Sequence, residues 1–86
     1  GLVYVKGIAG NVTLTLPTPA IGTEIWVHDV AGNVSVQGNV TIDGAGAHTV
    51  NGVANVTMEE AFGALHFVGV STTSWAASKL VRPDAE

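Results

Sequence analysis

Hydrophobic and polar positions alternate with a period of two along most of the chain. In residues 11–16, Val12, Leu14 and Leu16 fall on one side and Thr13 and Thr15 on the other, the pattern of a strand with one buried face. Pro17 and Pro19 follow directly and stop that strand, because proline has no N–H to give a ladder. In residues 24–29, Ile25 and Val27 share one face while Trp26 and His28 share the other, which predicts that Trp26 stands outside the chain's own core. Asp29-Val-Ala-Gly-Asn33 supplies turn chemistry, and further short strands are predicted at 34–36, 40–42, 48–50 and 56–58. Residues 64–70 and 74–80 read as a closing hairpin turned through Ser71, Thr72 and Thr73, with Trp75 as the anchor of its last strand. A helix fits only residues 58–62, and then for a single turn. The predicted fold class is all-β, a compact domain of short strands of sandwich or β-helix-like character. Residues 1–10 form an N-terminal arm or edge strand, 11–80 a single all-β domain, and 81–86 a polar tail.

Within that alternation one pentamer recurs. Gly10-Asn-Val-Thr-Leu14, Gly32-Asn-Val-Ser-Val36, Gly38-Asn-Val-Thr-Ile42 and Ala54-Asn-Val-Thr-Met58 are four versions of it. Each gives a corner, an inward Val, an outward hydroxyl and an inward apolar residue. Strands this short bury too little to stand alone and need stacked neighbours, from the same chain or from others. Gly32, Gly38 and Gly44 are evenly spaced by six residues, as in turns of a coil, but the repeat is too brief for a solenoid. Short strands completing one another around a threefold axis, as an intertwined homotrimer, fit the pattern better.

Composition supports that expectation. Of the 86 residues 47% are apolar but only 12% charged, about half the usual ~25%. Either the exterior is neutral and polar, or much of it is covered by partner chains. The second is favoured because a domain of this size buries only ~60% of its unfolded surface by itself. The net charge is −4 and the cations are Lys6, Lys79 and Arg82, so there is no basic stripe to follow phosphates and no nucleic-acid partner is expected. Absent cysteine excludes disulfides and thiolate chemistry. No apolar run approaches the ~18 residues of a helical membrane span, and no membrane partner is expected. The first residues do not read as a signal peptide.

In order and spacing, the segments Val12-Thr-Leu-Thr-Leu-Pro17, Gly22 with Ile25–Val27, Asp29-Val-Ala-Gly-Asn33, Val40-Thr-Ile-Asp-Gly44, Thr49-Val-Asn-Gly52, Phe62-Gly63 and Trp75 resemble a module of tailed-phage virion proteins. That module occurs in tail fibres, head fibres and small capsid-decorating proteins. The resemblance spans residues 11–80. His48, Ser71-Thr72 and Ala76-Ala-Ser78 depart from its usual residues. It implies a trimeric structural or attachment module at the virion surface, without enzymatic activity or cofactor. Because 86 residues hold little beyond the module, a capsid decoration (cement) protein bridging major capsid subunits is the leading expectation. The alternative is a segment of a tail or head fibre that recognises host surface glycan. A bacterial carbohydrate-binding or adhesin domain is a third reading.

Candidate sites are few. Asn11, Asn33, Asn39 and Asn55 each open an N-x-Ser/Thr acceptor, but an Asn corner followed by a Thr-bearing strand makes that motif as a by-product. His28, His48 and His66 lack metal-ligand spacing; only a threefold axis near His66 would assemble ligands, and a packed or hydrogen-bonded strand histidine is the expected role. No Gly-x-Ser-x-Gly elbow surrounds a serine. Leu2, Val3, Tyr4 and Val5, as an arm reaching a neighbour's exposed strand, together with Trp26, His28 and His66, are the candidate interface residues.

Overall fold

The structure, a computed structural model, describes residues 2–5, 10–35 and 38–80, with only the backbone of Leu2 and Leu80. Residues 6–9 of the expected N-terminal segment, Val36 of the expected strand 34–36, and the expected polar tail 81–86 lie outside the described residues. Eight strands follow in chain order: β1 (Leu2–Val5), β2 (Val12–Thr15), β3 (Glu24–Asp29), β4 (Val40–Asp43), β5 (Thr49–Val50), β6 (Asn55–Met58), β7 (Ala64–Gly69) and β8 (Ser74–Leu80). The described residues contain no helix, so the chain is all-β.

The strands form two sheets. The larger has the order β1-β3-β7-β8-β5 and the smaller β2-β4-β6. The hairpin β7–β8 is antiparallel, with Phe67 opposite Ala77 and Gly69 opposite Trp75. β3 lies antiparallel to β7, whereas β1 lies parallel to β3 and β5 parallel to β8. Three of the four pentamers are the three strands of the smaller sheet. Thr13 lies opposite Thr41, and Thr41 opposite Thr57, while Val12 and Leu14 meet Val40 and Ile42. The Thr is the middle residue of the Val-Thr-apolar triplet in each copy, so it faces its counterpart whether the pair runs parallel or antiparallel.

The fourth copy behaves differently, and this corrects the strand expected at 34–36. Val34 is buried, but its N–H donates to Asp29 Oδ2 at 3.1 Å and the Ser35 N–H to the Gly38 carbonyl. Backbone groups committed to a local turn cannot serve a ladder. The helical turn expected at 58–62 is also absent. β6 runs through Met58, and Glu60 to Gly63 make a tight turn in which the Gly63 N–H donates to the Glu60 carbonyl and Phe62 sits at φ 58°.

The inward faces of both sheets meet in one core. Val5, Ile25, Val27, Val50, Leu65, Phe67 and Trp75 of the larger sheet pack with Val40, Ile42 and Met58 of the smaller, and Leu16 and Val34 complete the cluster. Gly69 makes part of this fit possible. The backbone of Ala20 lies where its Cβ would be, so any side chain there would push the Pro19–Ile21 segment off the sheet.

Asp29, at the end of β3, is the buried polar exception at 2% exposure. Its Oδ1 accepts the Gly32 N–H at 3.0 Å, and Oδ2 accepts those of Val34 and Phe62. Charge-assisted bonds of this kind contribute about 1.5–3 kcal/mol each. They also hold Phe62 in its left-handed conformation, with its ring over Gly32 where a Cβ would clash. Gly32 itself has φ +77°, so both its conformation and its lack of a side chain are required.

Candidate functional site

Alternation along β3 sends Glu24, Trp26 and His28 to the outward face of the larger sheet, opposite in phase to Ile25 and Val27. Across the ladder, His66 of β7 lies directly opposite Trp26. The two rings stack, with centroids 3.8 Å apart and planes within 14°. His66 Nε2 and Glu24 Oε1 are 2.7 Å apart, so the imidazole is fixed from one side by a ring and from another by a carboxylate. The His28 ring is tilted against Trp26 at 6.3 Å, and Tyr4 of β1 pairs in register with His28. One face therefore gathers Tyr4, Trp26, His28 and His66 beside Glu24.

The candidate interface residues thus separate. Tyr4 is 52% exposed on the outward face and Val3, in the opposite phase, 36% exposed. Val5 is buried in the core of its own chain at 7%. Leu2 lies opposite Trp26 in register. β1 as a whole is paired with β3 of the same chain, which makes it an edge strand here.

His66 is both packed and hydrogen-bonded within its sheet, stacked on Trp26 and held by Glu24. Among the described residues no group of three His, Asp or Glu side chains comes together to hold a metal. Ser78 lies opposite His66 in the β7–β8 register, while His66 Nε2 is held by Glu24 Oε1. Ser71 is bonded instead to Ser74 at 2.7 Å and accepts the Thr73 N–H, which shapes the hairpin turn. Of the Asn corners, Asn11 accepts the Asn39 N–H across the β2–β4 pair, a structural use of the acceptor motif. A groove of about 310 Å³ between the end of β6 and the β7–β8 hairpin is lined by Met58, Glu60, Leu65 and Lys79. Its Glu60 and Lys79 are 3.3 Å apart.

Two features escaped the reading of the sequence. Glu24 is found only once the β3–β7 register is known, although its place two residues before Trp26 put it on the right face. Asn51 looked like ordinary turn chemistry. Its side chain instead donates to the Ala77 carbonyl and accepts the Ala77 N–H, extending the two-residue β5 along β8 with an amide in place of backbone.

The strand edges are the second element of the site. Outer strands of a sheet usually carry Lys, Pro or other charges that deter pairing with foreign strands. Here β1, β2, β5 and β6 contain neither charge nor proline. Glu24, Asp29 and Asp43 lie on β3 and β4, which have neighbours on both sides, while Lys79 lies on β8 beyond the two residues that β5 pairs with. Most strand charge thus sits inside the sheets, away from the outer strands. No protein-family model matches the chain, and no curated protein matches it.

Proposed function

We propose that this chain is a non-enzymatic structural protein of a tailed-phage virion surface, acting as a homotrimer that decorates the capsid and bridges major capsid subunits. The observation that carries the reading is the composition of the outer strands: β1, β2, β5 and β6, without charge or proline, are suited to being covered by other chains. A charged fraction of 12% and an outward face of Tyr4, Trp26, His28 and His66 support it, since aromatic side chains dominate the buried centres of protein interfaces. The mechanism is mechanical. Burial of apolar and backbone hydrogen-bonding surface between neighbouring capsid proteins adds contacts that expansion or internal pressure must break. The test is saturable binding of the purified protein to expanded, undecorated capsids. Binding to host cells with no binding to capsids would overturn the reading.

A second reading, a fibre segment that recognises host glycan, is favoured by one observation, the indole of Trp26 on an outward sheet face. Against it, His66 already occupies one side of that ring at stacking distance, where a sugar would have to compete.

A further inference from the structure

We infer that the smaller sheet is completed by further copies of this chain, the open edge of β6 in one protomer pairing with the open edge of β2 in the next, so that a trimer closes head to tail. The inference rests on the trimeric reading above and names the surface through which the trimer forms.

The backbone directions locate the open groups. The N–H groups of Val12 and Leu16 donate to the carbonyls of Asn39 and Asp43, so the intervening Thr13 and Thr15 point theirs away from β4. On the other side the Gly44 N–H donates to the Ala54 carbonyl. By the same alternation, Val56 and Met58 serve β4, while Asn55 and Thr57 face away. Thr13, Thr15, Asn55 and Thr57 are all exposed.

These two edges carry two versions of one pentamer. β2 reads Val-Thr-Leu within Gly10–Leu14, and β6 reads Val-Thr-Met within Ala54–Met58. Between them β4, a third copy, already pairs parallel with β2 and antiparallel with β6. A neighbour's β6 would therefore offer β2 what β4 offers it: apolar residues on the core side and a Thr in the middle. The Thr13–Thr41–Thr57 row, in which Thr41 Oγ1 and Thr57 Oγ1 are 3.5 Å apart, would continue into Thr13 of the next protomer. The larger sheet offers no such match. Its outer strands read Leu-Val-Tyr-Val and Thr-Val, and the Asn51 amide occupies the next backbone position on β8. Different edges meeting in one direction make a heterologous contact, which closes as a ring when the rotation allows.

The chain has no cysteine, so introduced thiols report contacts without background. Directly opposed strand residues have Cα atoms about 4.5–5.5 Å apart, within disulfide range of roughly 4.4–6.8 Å. The unaltered protein is first sized by sedimentation. Thr13→Cys/Thr57→Cys is then oxidised beside each single variant, with Thr15→Cys/Thr57→Cys to read a register shifted by two. One double variant should give covalent dimers and trimers of the 8.7 kDa chain, at least about tenfold more than either of its single variants. A trimer by sedimentation with neither double variant cross-linking overturns the edge inference and leaves the trimeric reading standing. A monomer overturns both. Cross-linking by Thr13→Cys alone means β2 meets β2 around a twofold axis, which overturns the head-to-tail order. Thr13→Lys places a charge on the open edge and should shift the trimer to monomer at the same protein concentration with the β-sheet circular dichroism unchanged; an unshifted trimer contradicts the inference.

Discussion

The two sheets share one core but differ in what they show outside it. The smaller turns outward Thr13, Thr15, Thr41 and Thr57 with Asp43 and Asn55, and among the described residues no strand covers either of its edges. The larger turns outward Tyr4, Trp26, His28 and His66, and Asn51 supplements its short edge strand. Hydroxyls on a short strand add little binding area, so such a sheet associates through its backbone. Stacked rings add area and shape, so such a face associates through side chains. One small chain therefore presents two different surfaces, a hydroxyl-bearing sheet with free edges and an aromatic face, set apart on its two sheets.

The comparison holds only if the sheets stand or fall together. Trp75 is 1% exposed between them, and Trp75→Ala should cost about 3–5 kcal/mol, read by urea denaturation as one transition lost for both sheets. Two separate transitions would show that each sheet has a core of its own. Asp29→Ala strips the acceptor from three backbone N–H groups and should cost about 3 kcal/mol or more. Asp29→Glu should not restore it, because the longer side chain cannot meet the same N–H groups.

The surface side chains should act more weakly on stability. Asn51→Ala loses the paired bonds to Ala77 and should cost about 1–2 kcal/mol, with faster amide exchange at Ala77 as its local signature. Trp26→Ala should change unfolding free energy least, by about 1 kcal/mol, while weakening assembly or capsid attachment about tenfold. A collapse of β structure in Trp26→Ala would mean the ring is a core residue, and the contrast between the two outward faces would fail.

How far the sequence disclosed this molecule depended on the range of the interaction. Alternation at 11–16 and 24–29 and the 64–80 hairpin were legible, because a strand's two faces are written in neighbouring residues. Trp26 outside the core followed from the same period, and Trp75 as an anchor from its place after the hairpin turn. The pentamer repeat was visible, but its gathering into a single sheet was not, since register is fixed by residues far apart in the chain. At 34–36 and 58–62 local pattern misled. Asp29 captures the backbone N–H of Val34 and Phe62, and no propensity encodes a carboxylate reaching 33 residues along the chain. The Glu24–His66 contact, 42 residues apart, was hidden for the same reason.

The central claim is that copies of this chain complete one another. Sedimentation equilibrium on the unaltered protein tests it most directly. The account predicts a single species of three times the 8.7 kDa chain mass, persisting on dilution to micromolar concentration. A single species near 8.7 kDa would contradict it.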